Sequence, residues 1–401
     1  MVQCVILAAG EGKRMRPLTG SRPKVMLPVA NRPMLEHLLC AVRDAGISEF
    51  ILVVGYEESA VRQYFGDGSA FNVHIRYVTQ KRQRGTGDAV MSTQPHLHGK
   101  FLLLNGDMIL SLEDISRILA RSAPVLGVIM SDHPQDFGVV TIENETVTGL
   151  EEKTEDPKSN LINAGIYLLD RDIFSYLAEI TPSSRGELEL TDALMPSIHE
   201  GSLSAVTLSS WSDLGSPWDL LSANETLLQN LTPGIYGEIE EGVILKGTVQ
   251  IGKGTVVKAG SYIEGPCIIG EDCRIGPHAY IRGATSIGNN CHIGHSTELK
   301  NSIVMSKTNI PHFNYVGDSV IASGCNFGAG TKIANLRHDK QFIYIGGINT
   351  RRRKLGAIIG DDVLFGINCS VNIGTVVGNR CRIAPHTYVD GIIRDDSVVK
   401  R

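Results

Sequence analysis

From residue 239 to residue 305 an aliphatic side chain returns at every sixth position: Ile239, Leu245, Ile251, Val257, Ile263, Ile269, Ile275, Ile281, Ile287, Ile293, Leu299 and Met305. Twelve matches in unbroken register are beyond chance. Four residues after each aliphatic stands, in nearly every case, a small or aliphatic residue, such as Val243, Thr255, Ser261 or Ala279, and glycine often follows directly, as in Ile251-Gly252. This is the hexapeptide pattern of a parallel β-helix, in which three hexapeptides make one triangular coil. Each inward aliphatic then stacks on the next coil about 4.8 Å away. The period slips between Met305 and Tyr315, resumes at Ile321, Phe327 and Ile333, and is interrupted again from about Asn335 to Leu355. It returns at Ile359, Phe365, Val371, Val377, Ile383 and Val389. A solenoid has no packing reason to contain a loop, so the two breaks are where function is expected. Cys267, Cys273, Cys291, Cys325, Cys369 and Cys381 all fall four residues after an aliphatic. They read as small buried fillers of the coil rather than as disulfide or metal ligands.

The preceding part has a different grammar. Apolar runs at Val2–Leu7, Phe50–Gly55, Phe101–Leu104 and Val125–Met130 alternate with amphipathic stretches such as Pro33–Gly46 and Leu112–Arg121. That alternation predicts an α/β, Rossmann-like domain with a largely parallel sheet and helices on both faces. Ligands of such sheets bind beyond the carboxyl ends of the strands. Ser216-Pro217-Trp218-Asp219 reads as a helix start and Thr232-Pro233-Gly234 as its stop. The expected domains are therefore residues 1–231 and 232–401, the second a left-handed parallel β-helix. A length of 401 residues suits two cores. The net charge of −5, with no long basic run, argues against a general nucleic-acid binder. No apolar run approaches the roughly 20 residues of a membrane span, and no leader-like segment follows Met1, so a cytoplasmic location is expected.

Three features of the first domain point to polyphosphate chemistry. The turn Leu7-Ala8-Ala9-Gly10-Glu11-Gly12-Lys13-Arg14 follows the first strand, and its small residues let backbone amides approach a phosphate chain. Lys24, in Arg22-Pro23-Lys24, adds a rigidly placed cation. Asp107, in Asn105-Gly106-Asp107, ends an apolar strand, Asp213 ends the region after the last strand, and two carboxylates near a polyphosphate are what Mg²⁺ requires. Taken singly, each is also compatible with an ordinary turn or helix cap. Together they resemble the sugar-1-phosphate nucleotidylyltransferase family over residues 1–230, whose signature L-A-A-G-x-G-x-R-M…P-K is matched from Leu7 to Lys24. The resemblance implies that Ala8, Ala9 and Gly10 hold base and ribose, with Gln80, Gly85 and Thr86 reading the base. It implies that Arg14 and Lys24 act on the triphosphate and that Asp107 and Asp213 hold the metal. Gly138, Glu152, Lys153 and Asn163 fall at the sugar-phosphate positions. Two departures, Thr154 after Glu152-Lys153 and Phe137 before Gly138, touch sugar selectivity rather than the reaction.

The β-helix breaks carry their own constellation. His312 stands in the slipped segment, with a side chain suited to general-base work near neutral pH. Near it in the sequence are Tyr315, Phe327-Gly328-Ala329-Gly330-Thr331, Asn335 and the basic run Arg351-Arg352-Arg353-Lys354. A cationic run suits coenzyme A phosphates, though it is equally a solvated loop. The strings P-H-x-x-Y-V-G-D-S, F-G-A-G-T-x-I-A-N-L-R and R-R-K-L-G-A make the whole chain similar to the bifunctional N-acetylglucosamine-1-phosphate uridyltransferases/glucosamine-1-phosphate acetyltransferases, in their archaeal two-domain form. That resemblance implies substrates UTP (or dTTP) and acetyl-CoA, and His312 as the base. It implies Tyr315, Asn335 and Lys354 on the sugar phosphate, Ala329 with Arg351, Arg352 and Arg353 on acetyl-CoA, and a homotrimer formed through the β-helix. The rival expectations are a thymidylyltransferase or related enzyme whose β-helix only oligomerises, and a regulatory subunit that has lost catalysis.

Overall fold

The computed structural model describes residues 2–183 and 185–400; Met1 and Arg401, which bound the expected domains, and Ser184 lie outside the described residues. The chain forms two compact units. One contains residues 1–11, 22–26 and 34–213, and the other residues 12–21, 27–33 and 214–401.

The elements of the first two hundred residues are β1 (Gln3–Ala8), the short strands β2 (Pro28–Val29) and β3 (Arg32–Pro33), α1 (Met34–Asp44), β4 (Glu49–Val54), α2 (Glu58–Phe65) and β5 (His74–Thr79). Next come α3 (Thr86–Met91), β6 (Phe101–Asn105), β7 (Met108–Leu110), α4 (Leu112–Leu119) and β8 (Val125–Met130). The hairpin β9 (Gly138–Glu143) and β10 (Thr146–Glu152), the strand β11 (Leu161–Leu169), α5 (Ile173–Leu177), α6 (Leu190–Ala193) and α7 (Met195–His199) follow. The series ends with β12 (Ser204–Thr207), β13 (Trp211–Asp213) and α8 (Asp219–Gln229).

The main sheet of the first unit runs β5-β4-β1-β6-β11-β8-β12-β10-β9. Strands β5, β4, β1 and β6 are parallel, as the alternating pattern predicts. Beyond β6 the sheet is mixed rather than largely parallel, because β11 runs antiparallel to both β6 and β8. One cause is local. Strands β9 and β10 are joined by Asn144 and Glu145 alone, at φ 49° and 65°, and a two-residue link with left-handed backbone can only return the chain antiparallel. Helices cover both faces. Leu35, Leu38, Leu39 and Val42 of α1 pack with Ile115 and Ile118 of α4 on one side, and Val90, Phe174, Leu177 and Leu190 pack on the other.

The second unit is a left-handed parallel β-helix of three sheets, with nine, nine and eight strands. The hexad rule accounts for its interior: Ile251, Ile269 and Ile287 stack in register along one sheet, and Ile263 and Ile281 along another. All six cysteines assigned to the coil are buried free thiols. The register changes differently from the sequence expectation. Val304, not Met305, stacks above Ile287, and Ile321 stacks above Val304. Each of the two steps, from Leu299 to Val304 and from Val316 to Ile321, is one residue short, while Val304, Ile310 and Val316 keep the six-residue spacing between them. The segment bearing His312 is thus regular coil between two shortened turns. Met305 is still buried, pointing elsewhere.

Helix α8 groups with the β-helix, so this contact division falls after Asp213, whereas the sequence boundary was placed after Leu231. The leucine stripe of α8 announces an apolar face but carries no mark of its partner. Asn224 fixes it: the buried side chain accepts hydrogen bonds from the Ala30 amide (2.9 Å) and the Ser286 hydroxyl (2.6 Å) and donates to the Ala284 carbonyl (2.8 Å).

Candidate active site

Beyond the carboxyl end of β1, Ala8 and Ala9 are buried and Gly10 is exposed. The neighbouring strand β6 is followed directly by Gly106-Asp107, and a Cβ on Gly106 would lie 2.7 Å from the Leu7 carbonyl, so only glycine lets the two chain segments lie so close. Lys24, almost fully buried, donates from Nζ to Asp107 Oδ2 at 2.6 Å. Strand β13 pairs antiparallel with β7, placing Asp213 opposite Met108, the residue after Asp107. Of the two carboxylates named from the sequence, Asp107 is thus in the turn that leads into β7 and Asp213 ends the strand paired with it, and a lysine already balances Asp107. Arg14 is exposed on the turn Lys13–Met15, in the segment 12–21 that packs with the second unit.

The segment after β5 is built on Gln80. Its Nε2 donates to Asp88 Oδ2 (2.9 Å) and to the Gly85 carbonyl (3.2 Å). Gly85 has φ 113°, and a Cβ there would be 2.4 Å from the Leu188 carbonyl, which explains the glycine. Thr86 Oγ1 accepts from the Leu190 amide at 3.0 Å and so ties the start of α3 to α6. Two participants were missed. Gln83 donates to the Ala9 carbonyl at 2.8 Å, and Asp88 orients Gln80. Neither belongs to a glycine-rich or charged motif, so no sequence pattern marks them.

At the other side of this unit, Gly138 leaves room for Glu152: a Cβ would be 2.9 Å from Glu152 Oε2. Arg185, which no motif flagged, reaches Glu152 at 3.4 Å and Glu189 at 2.8 Å. Withdrawal of the Glu152 carboxylate from water raises its pKa above the usual glutamate value against the lowering pull of Arg185, and Glu189 adds to the rise. Lys153 follows with a left-handed backbone, φ 50°. Asn163 donates to the Tyr167 hydroxyl at 2.8 Å and accepts from the Gly165 amide at 2.9 Å, so its side chain is fixed. Phe137 packs edge-on against Trp211 at 5.5 Å between centroids.

On the β-helix, His312 is exposed at the end of a strand, in register with His295 one coil below. The Gly330 amide donates to the His312 carbonyl at 3.0 Å, setting the Ala329-Gly330 turn one coil above it. Phe313 takes the corner at φ 52°, a position filled by Gly260 and Gly330 in other coils. Lys332 reaches over to the Phe313 carbonyl. His292 is held below the usual histidine pKa by burial, then by Arg274 and by His312.

Around the next corner Asp318 gathers its neighbours. It is almost fully buried and accepts from Lys300 (3.2 Å), Asn301 (2.9 Å) and Asn335. A Cβ on Gly317 would lie 2.7 Å from the Tyr315 hydroxyl and 2.6 Å from Asn335 Nδ2, so glycine opens the space that both side chains share. Leu355 donates to the Asn335 carbonyl at 3.0 Å, and Leu336 bridges Lys354, which brings Lys354 beside Asn335. Tyr315, Asn335 and Lys354 are thereby drawn together from both sequence breaks. The basic run divides. Arg352 is committed to α8, donating to Ser222 Oγ (2.7 Å) and Glu225 (3.0 Å), so it serves as a fastener of the loop rather than as a ready phosphate ligand. Arg353 lies 5.6 Å over the Phe342 ring, and Arg351 is exposed.

Comparison with known proteins agrees with both halves. Residues 3–230 match the nucleotidyl transferase family model, and residues 263–399 match the GMPPB C-terminal domain. The chain is 45% identical to the bifunctional protein GlmU of Methanococcus maripaludis strain C7, over 99% of this chain and 97% of that protein. It is 39% identical to the bifunctional sugar-1-phosphate nucleotidylyltransferase/acetyltransferase of Sulfurisphaera tokodaii, over 97% of each. A solved Bacillus anthracis structure, named as a glucose-1-phosphate thymidylyltransferase, matches with a TM-score of 0.53 and 30% identity over 59% of this chain and 98% of its own. With both sites on one polypeptide and full-length similarity to bifunctional relatives, this chain belongs to the GlmU family of sugar-1-phosphate nucleotidylyltransferases/acetyltransferases.

Proposed function

We propose that this enzyme makes UDP-N-acetylglucosamine in two steps, acetylating glucosamine-1-phosphate on the β-helix and then transferring a uridylyl group to the product in the first unit. What supports the acetyl half is the gathering of Tyr315, Asn335 and Lys354 from two breaks in an otherwise regular solenoid.

In the first step the free amine of the sugar attacks the thioester of acetyl-CoA. His312, exposed at its corner, accepts the amine proton. Tyr315, Asn335 and Lys354 hold the sugar phosphate, with Asn335 oriented by Asp318. Coenzyme A lies along Ala329, Arg351 and Arg353, while Arg352 keeps the loop on α8. In the second step a phosphate oxygen of N-acetylglucosamine-1-phosphate attacks the α-phosphorus of UTP in line, and pyrophosphate leaves. Ala8, Ala9 and Gly10 hold base and ribose, with Gln80, Gly85 and Thr86 reading the base. Gly138, Glu152, Lys153 and Asn163 place the sugar phosphate. Arg14 and Lys24 neutralise charge on the triphosphate and on the leaving group. Asp107 and Asp213, the first preceding β7 and the second opposite its first residue, offer two hard oxygen ligands, the donor type that Mg²⁺ would complete with phosphates and water. When bound, Mg²⁺ supplies charge neutralisation at the phosphates. A trimer through the β-helix completes the reading, and the exposed Leu364, Ile367 and Tyr388 on its outer surface support it.

The test is a substrate matrix with the full-length protein. Coenzyme A release should require an amino-sugar phosphate, and pyrophosphate release should be fastest with UTP and N-acetylglucosamine-1-phosphate. Turnover with dTTP and glucose-1-phosphate, without any coenzyme A release, would sink the proposal and leave the β-helix as an oligomerising scaffold.

A further inference from the structure

The amino ends of β1, β4 and β5 frame a second concavity in the first unit, of about 560 Å³, at the opposite end of the strands from Ala8 and Asp107. Its walls carry His74, Arg76, His96, His98 and Lys100, opposed by Glu49 alone among the acidic lining residues. Three of the cationic or imidazole side chains come from one loop, residues 96–100, and that loop is fixed in place. Gln3 clamps it in both directions, donating from Nε2 to the His96 carbonyl (3.1 Å) and accepting at Oε1 from the His98 amide (3.0 Å). Arg171 holds the Leu97 carbonyl from behind, and Leu97 is fully buried. The loop has therefore little conformational entropy left to lose when something binds.

Arg76 lies 3.3 Å from His96 Nδ1. A guanidinium only donates, so Nδ1 is the acceptor and the proton of the neutral ring sits on Nε2, which becomes a second donor. The lining thus offers N–H donors and positive charge with one carboxylate against them. Metal binding is the other use of several imidazoles, but among the described residues no three His, Cys, Asp or Glu side chains are gathered for a metal. The volume lies in the range of small-molecule sites and exceeds what a lone phosphate needs.

We propose that this cleft is a second binding site for a diphosphate-bearing small molecule, with Arg76 and Lys100 on the diphosphate and the imidazoles as further donors. The diphosphate has two chemical sources close to the enzyme's own reaction, free pyrophosphate and a nucleoside diphosphate. The site is separated from the crevice by the length of β1, six residues or about 20 Å, and it does not depend on the assignment of catalytic residues.

Equilibrium dialysis of the full-length protein with labelled pyrophosphate, and separately with UDP, tests it. The Arg76→Ala/Lys100→Ala variant, compared with wild type, should bind one equivalent per chain less, or bind that equivalent more than tenfold more weakly. Lys100→Ala alone, at an exposed position, serves if the double variant misfolds, and unchanged nucleotidyl transfer at saturating substrate reports an intact fold. A loss seen with both ligands assigns recognition to the diphosphate itself, and a loss seen with UDP alone adds the nucleoside. If wild type binds a single equivalent and the variant none, the failure belongs to the crevice reading and the cleft stands. Equal stoichiometry and affinity in wild type and variants with both ligands overturns the proposal.

Discussion

A lysine held 2.6 Å from Asp107 gives that carboxylate a partner before any substrate arrives. Removing the negative charge leaves Lys24 buried without its ion pair and takes one of the two carboxylates from the proposed Mg²⁺ site. Asp107→Asn, and Asp213→Asn for the second reason, should lower nucleotidyl transfer by roughly two or more orders of magnitude. Coenzyme A release should be unchanged, and a parallel loss of both activities in a folded variant would contradict separate sites. His312→Ala should do the reverse, cutting acetyl transfer by about 10²–10⁴-fold, the usual contribution of a placed base. A kcat near wild type with saturating acetyl-CoA and sugar phosphate would remove His312 from the mechanism. Glu152 supplies the pH-dependent case. Its folded pKa is raised, so its stabilising contribution is complete below the unfolded glutamate value and is lost as pH rises through the folded one. Glu152→Gln should therefore gain on wild type in melting temperature between pH 4 and pH 8 (approximate limits set by the usual glutamate pKa), despite losing Arg185. A difference independent of pH would show that the carboxylate is not deprived of water.

Elements differ in how much of themselves they disclose. The hexad spacing identified the β-helix and buried its cysteines correctly because one inward side chain per six residues is a purely local rule. The same rule misplaced the slip by one residue, since Val304 and Met305 are both buried aliphatics and only the stacking of neighbouring coils selects Val304. Helix α8 was legible as a helix, but its docking on Ala284 and Ser286 was not, because hydrophobic periodicity gives a face and no address. Motifs located Asp107, Gly85 and Asn335. They could not show Gln83 reaching Ala9, Arg185 reaching Glu152 or Arg352 turning to Glu225, since these are single polar contacts between segments far apart in sequence. Asn224→Ala tests the docking of α8. It strands the Ala30 amide, the Ser286 hydroxyl and the Ala284 carbonyl, which should cost about 2–4 kcal/mol in total. Thermal denaturation of the full-length protein measures it, and a shift near zero would mean that α8 is held by its leucines alone.

At the scale of the whole molecule, residues 12–21 and 27–33 belong with the β-helix to the second unit, as one strap-like segment interrupted at 22–26. Asn31 donates to the Ile287 carbonyl at 2.6 Å, Ser21 to Asp361 at 2.8 Å, and the Pro17 carbonyl accepts from Asn379 at 3.2 Å. In the sheet concerned, Ile287, Val304, Ile321, Ile359 and Val377 are successive rungs, so the segment is fastened at both ends of a span of four coil spacings, about 19 Å. Asn379→Ala should loosen its far end. Tryptic cleavage after Lys13 or Arg14 should then quicken roughly tenfold, the equivalent of about 1.4 kcal/mol. Unchanged cleavage would mean that the segment does not rely on that contact.

This strap has a consequence for how the protein is born. Pro17 leaves the ribosome 362 positions before the side chain that holds its carbonyl. Solenoid coils settle one upon another as they emerge, each needing only its neighbour. The stretch that bears Arg14 waits for these fastenings, Ser21 until Asp361 has been added and Pro17 until Asn379 has. A chain cut short before Asp361 would retain the glycine-rich turn and the lysine behind it, yet lack both of these anchors for the segment that carries the arginine between them. The ordering of the Arg14 segment thereby depends on coils made more than three hundred positions later, and a fragment released before them carries that segment unsecured.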